Sequence, residues 1–117
     1  MKIKSYKSIF ETSEEPLWEM SNFFPNDTGL EHVIWISTKT GREKHGPRIK
    51  VFGKDGEIHI SISDEPEIKK QLGKINIKKR ALNKIFDFIK LNKDVLLSHW
   101  NGKISSKGLS DKIKSIN

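Results

Sequence analysis

The sequence predicts an α+β fold: a small antiparallel sheet of three or four strands, with a long C-terminal helix, bent near Asn92, packed on one face. Three observations carry that expectation. The stretch HGPRIKVFGKDGEIHISIS, residues 45–63, alternates apolar and polar residues on both sides of a glycine-flanked turn. The segment HVIWIS, residues 32–37, is β-branched and aromatic with no helical period. From about Ile75 the apolar spacing changes from two residues to between three and four.

Taken in order, residues 2–10 (KIKSYKSIF) alternate loosely and are expected as an edge strand. Residues 11–31 read as an irregular, aromatic-rich segment. Within it, SEEPLWEM sets Ser13 and Glu14 ahead of Pro16, the pattern of a short helix with acids in its first turn. Pro25 and the Asn26-Asp27-Thr28-Gly29 run break the chain again. Trp18, Phe23 and Phe24 are expected to seal one end of the core.

Val33 to Ser37 is the next strand, and Lys39 to Gly46 a long charged connection. The hairpin that follows has an arguable register. If Gly53 and Gly56 face one another across Lys54-Asp55, Val51 meets Ile58 and Ile49 meets Ile60. Lys50 then meets His59, and Arg48 meets Ser61, on the opposite face. A one-residue slip would mix apolar and polar residues on both faces, so the pattern selects this pairing.

Asp64 to Gly73 is expected to link sheet to helix, with Pro66 blocking continuation of the strand. From Ile75, with Asn76 as N-cap, Ile77, Ala81, Leu82, Ile85, Phe86, Phe88 and Ile89 cover one half of a helix. Asn92 is expected to restart it over Lys93 to Trp100, with Gly102 as the stop. Residues 1–103 thus form one α+β domain. Residues 104–117 read as a polar, partly flexible tail with one turn around Leu109 to Ile113.

A chain of 117 residues has room for one modest core, and its 34% apolar residues suffice because they fall in periodic segments. No apolar run approaches the length needed to span a bilayer, and MKIKSYKSIF lacks the apolar centre of a signal peptide. With no cysteine there is no disulfide framework and no thiolate chemistry. A cytoplasmic location without membrane partners is the expectation. Charge is unevenly spread. Residues 1–68 hold 9 Lys/Arg against 12 Asp/Glu, whereas residues 69–117 hold 13 against 3. A basic half of this kind suits a nucleic acid or an acidic protein surface.

Catalytic motifs are scarce. His32, His45, His59 and His99 form no metal-ligand spacing, so no metal is expected. Phosphate-binding loops and dinucleotide fingerprints are absent, so no cofactor is expected either. Nothing marks a hydrolase elbow. One reaction fits the residue types on the polar side of the hairpin: RNA cleavage, with Arg48 and Lys50 stabilising a pentavalent phosphate while His59 moves a proton beside Glu57. Binding without chemistry has more material. Lys78, Lys79, Arg80 and Lys84 lie over two helical turns, with Lys69, Lys70 and Lys74 just ahead, as a phosphate-tracking stripe would. No recognition helix and no paired aromatic platform on a sheet is legible.

The run KKRALNKIFDFIKLNKDVLLSHW, Lys78 to Trp100, resembles the closing helix of a family of short bacterial domains of unknown function. In that family the helix reads K-R-A-L…L-L-x-x-W and follows a hairpin of the type H-x-P-P-H-x-H. Here His45, Pro47, Val51, Gly56, Glu57 and Ile62 match the hairpin, and the resemblance covers about residues 45–101. It implies a place near toxin–antitoxin genes and mobile elements. The family's H-x-H pair falls on Arg48 and Lys50, so the resemblance implies permanent charge where relatives carry imidazoles.

The sequence is thus expected to encode a small non-enzymatic bacterial or phage module. It would act through Arg48, Lys50, Lys78, Lys79, Arg80 and Lys84 on nucleic acid or an acidic protein, as a toxin–antitoxin component or a phage inhibitor of a defence nuclease. The alternatives are a ribonuclease-like toxin using Arg48, Lys50 and His59, and a structural subunit docking through Trp18 to Phe24. Oligomeric state is left open.

Overall fold

The computed structural model describes residues 20–37 and 45–116. The expected edge strand over residues 2–10, the short helix around Pro16, Trp18, and residues 38–44 of the charged connection lie outside the described residues. Five strands form one antiparallel sheet in the order β1-β2-β3-β4-β5: β1 (Met20–Phe23), β2 (Val33–Ser37), β3 (Arg48–Phe52), β4 (Asp55–Ser61) and β5 (Ile68–Lys74). Helices α1 (Pro25–Thr28), α2 (Lys79–Leu91), α3 (Lys93–Trp100) and α4 (Ser106–Lys112) complete the described chain. The α+β class is therefore observed, with five strands where three or four were expected.

The β3–β4 hairpin has the register that the alternation selects: Arg48 opposite Ser61, Ile49 opposite Ile60, Lys50 opposite His59, Val51 opposite Ile58. Gly53 closes the turn by donating its N–H to the Gly56 carbonyl at 2.9 Å. On the inner face Ile34, Ile36, Ile49, Val51, Ile58 and Ile60 are all buried. Ile85, Phe88 and Ile89 of α2, with Leu96 of α3 and Leu109 of α4, cover them. Burying one face of each element is what fixes the two-layer architecture.

Three segments differ from the sequence expectation. Residues 68–74, expected within a linker, are a strand, and all seven are exposed. An edge strand held by its backbone ladder to β4 buries no alternating side chains, so no apolar period announces it. The segment 20–28, expected as irregular, supplies β1 and α1; Phe23 is buried in the core as expected.

The C-terminal helix divides at Asn92, where a bend or restart was expected, but it begins later than expected. α2 starts at Lys79, with Lys78 as N-cap, rather than at Asn76. Residues 75–78 stay non-helical, and Ile75 and Ile77 pack against the core from there. Alternate apolar residues satisfy an extended arm as well as a helix start, and tertiary packing decides between them. Asn92 separates α2 from α3.

The C-terminal residues return to α1. Leu109 is fully buried, and Ile116 donates its N–H to the Thr28 carbonyl at 2.7 Å. Gly29 sits beneath that contact with φ 81°, and a Cβ there would lie 1.7 Å from the Ile116 carbonyl oxygen. Only glycine meets both demands, the left-handed backbone and the close approach.

Candidate nucleic-acid interface

The helices cover the inner face of the sheet, so the side chains that alternate with the core define the outer one. The register carries a row straight across it: Asn22, Trp35, Lys50, His59 and Lys70, one from each strand. Beside it runs a second row, Val33, Phe52, Glu57 and Leu72. Arg48 opposite Ser61 and Lys74 opposite Asp55 extend the face at either end.

The Trp35 and Phe52 rings meet with centroids 4.8 Å apart at 55°. The Lys50 Nζ lies over the Trp35 ring, 5.9 Å from its centroid, in cation–π contact. Sequence reading missed this aromatic pair because the rings come from different strands and only the β2–β3 register brings them together. The signal was present in β2, where Trp35 is out of phase with the buried Ile34 and Ile36.

His59 is 7% exposed and hydrogen-bonds through Nε2 to Glu57 Oε2 at 2.6 Å. Burial pushes the imidazole below its ordinary value; the Glu57 hydrogen bond opposes the shift, and the nearby Lys50 and Arg48 charges reinforce it. His59 is therefore neutral near pH 7, with Nε2–H donated to the carboxylate. Its Nδ1, the Arg48 Nε and the Asn22 Nδ2 are buried without a hydrogen-bond partner. Burial also lowers the pKa of Arg48 from its ordinary value, which leaves the guanidinium charged.

The structure brings Arg48, Lys50 and His59 together as the hairpin register implied, and adds Lys70 and Lys74 from the unexpected strand. The other expected cations are placed elsewhere. Lys78, Lys79 and Arg80 are exposed at the start of α2, and Lys84 is half-buried one turn on. Because α2 packs on the inner face, that stripe lies across the core from Arg48 and Lys50.

Among the described residues, no three His, Asp or Glu side chains converge as a metal site, and no helix is long and apolar enough to cross a membrane. Comparison of the chain with family models, with curated proteins and with solved structures returns no match. The resemblance of residues 45–101 to the short bacterial domains rests on their quoted residues alone.

Proposed function

We propose that the chain is a non-enzymatic module that binds single-stranded nucleic acid on the outer face of its sheet. The carrying observation is the Trp35–Phe52 pair with Lys50 over the indole, set among Arg48, Lys70 and Lys74. Single strands are held by this combination: cations follow the phosphates while rings and apolar side chains such as Leu72 meet the bases. Strands β3 to β5 carry five cations, Arg48, Lys50, Lys69, Lys70 and Lys74, against two carboxylates, Asp55 and Glu57, and Glu57 is committed to His59. A component of a toxin–antitoxin or phage anti-defence system would use such a face to occupy RNA.

Binding is better supported than cleavage. Catalysis by His59 needs a ring nitrogen within reach of a substrate proton. Nε2 is occupied by Glu57 and Nδ1 is buried, so the pair acts as a fixed element of the face. Docking through Trp18 to Phe24 as a structural subunit has less support, since Phe23 belongs to the core.

The test is fluorescence anisotropy with a labelled single-stranded uridine-rich RNA, titrated with salt. Affinity falls as salt rises, and Trp35→Ala weakens it about tenfold or more, the worth of one base–aromatic contact. Lys84→Ala, on the opposite side of the core, leaves it unchanged. Salt-independent binding, or equal losses from Trp35→Ala and Lys84→Ala, removes the proposal.

A further inference from the structure

We infer that the free edge of β5 is a docking site for an extended, acidic segment of a partner protein, which adds to the sheet as a sixth strand. This does not rest on the nucleic-acid reading: it uses backbone groups in the plane of the sheet, not the side chains standing on its face.

β5 is the last strand of the sheet and is exposed along its whole length. The direction of its backbone groups follows from the ladder. Ser61 N–H donates to the Glu67 carbonyl, while Gly53 N–H donates to Gly56 O and Ile62 N–H to Pro47 O. Odd residues of β4 therefore face β5, and even ones face β3. Their partners Lys70, Leu72 and Lys74 are turned inward. By alternation, the N–H and C=O of Gln71 point out of the sheet edge; Gly73 is left-handed at φ 72°, and its carbonyl is placed on the same edge by its contact with the Gln71 side chain. Only the Gly73 carbonyl has a partner there, the Gln71 side-chain amide at 3.2 Å, which a docking strand would displace.

Two features separate this edge from one that is merely protected. Ile68 and Leu72 are 46% and 44% exposed, two of the three large apolar side chains so exposed in the described chain. Edge protection ordinarily avoids such residues. The lysines decide which strand fits. Lys69, Lys70 and Lys74 would confront their own copies in a symmetric pairing of two chains, and like charges set opposite one another are destabilising. An acidic strand meets them favourably, with carboxylates beside Lys70 and Lys74 and an apolar residue between them beside Leu72. The irregularity between His59 and Ile60 disturbs the ladder at Lys69, which confines docking to residues 70–74.

The experiment uses the full chain and a labelled synthetic peptide of the repeating pattern Glu-Thr-Val-Thr-Glu, which sets carboxylates opposite Lys70 and Lys74 and a valine opposite Leu72. Binding is expected by anisotropy, with slowed amide exchange at Gln71. N-methylating alternate peptide amides abolishes binding in one phase and spares it in the other, because a strand presents every second N–H to its neighbour. Replacing Glu with Lys in the peptide weakens binding at least about tenfold, and so does Lys70→Glu/Lys74→Glu in the protein. Trp35→Ala leaves peptide binding intact, so failure here and failure of the nucleic-acid reading are told apart. The inference is overturned if both methylated peptides bind like the parent or the Lys peptide binds equally. Protection away from β5, or protection of Gln71 only on self-association or with single-stranded RNA, also overturns it.

Discussion

Asn92 binds the main chain of Lys114 in both directions. Lys114 N–H donates to Asn92 Oδ1 at 2.8 Å, and Asn92 Nδ2 donates to the Lys114 carbonyl at 3.0 Å. The same amide also donates to the Phe88 carbonyl at 3.1 Å. One buried side chain, 3% exposed, therefore ends α2 and pins the C-terminal residues 22 positions away.

Asn92→Ala removes all three bonds; the Phe88 carbonyl keeps the Asn92 N–H at 3.1 Å, while the part-buried N–H and C=O of Lys114 lose their partner. The expected loss is about 2–3 kcal/mol of stability by chemical denaturation, in line with the cost of unmade buried hydrogen bonds. Amide exchange at Lys114 and Ile116 should accelerate more than exchange in β3. Asn92→Asp keeps the acceptor for the Lys114 N–H and loses both donors, so it should fall between alanine and wild type. Unchanged exchange at Lys114 in the alanine variant would show that the tail is held by its apolar contacts alone.

Gly29 gives a sharper test of the same closure. Alanine there must adopt φ 81° and push the Ile116 carbonyl away from a position 1.7 Å from the new Cβ. A loss of about 2 kcal/mol or more is expected, above the ordinary cost of a left-handed alanine. Deleting Ile116 and Asn117 from the Gly29→Ala variant relieves the clash and not the backbone strain, so the double change recovers part of the difference on thermal denaturation.

Legibility in the sequence followed burial. The β3–β4 register was readable because Ile49, Val51, Ile58 and Ile60 make every slip costly, and Arg48, Lys50 and His59 were placed together for that reason. β5 was not readable, since its seven exposed residues carry no apolar period, and with it Lys70, Lys74 and Leu72 were lost to the candidate face. The Trp35–Phe52 pair escaped because cross-strand neighbours depend on how β2 and β3 align, which the intervening charged connection does not specify. Asn92 was legible as a break between helices, but not as a clamp, since nothing local points to Lys114.

The salt dependence of nucleic-acid binding should count the cations of the outer face. For single strands each phosphate contact contributes about 0.7 to the slope of log affinity against log salt concentration. Lys50→Ala and Lys70→Ala should each lower the slope by about that amount, as measured by anisotropy between low and moderate salt. Lys50→Ala should cost more affinity than Lys70→Ala, because it also removes the cation from the Trp35 ring. Equal slopes in all variants would place the phosphates elsewhere, with the stripe at Lys78 to Lys84 as the next surface to test.

Stability should fall as pH drops below about 6.5, and His59 should account for part of the fall. Burial, opposed by the Glu57 hydrogen bond and reinforced by Lys50 and Arg48, holds this imidazole below its ordinary value in the folded chain. The unfolded chain then binds the proton more tightly than the folded one. Linkage makes the effect zero well above the unfolded value, growing as pH falls from about 6.5 towards the lowered folded value, and constant below that. Its slope in that window cannot exceed about 1.4 kcal/mol per pH unit for one proton. His59→Gln keeps a donor for Glu57 and removes the titration, so its stability curve should be flatter between about pH 6.5 and 5. Asp64 acts in a lower window: its bond to Lys93 at 2.8 Å holds the carboxyl below its ordinary value, and that contribution is lost only as pH falls through the lowered range. If His59→Gln keeps the full wild-type slope above pH 5, the burial of His59 has no measurable linkage.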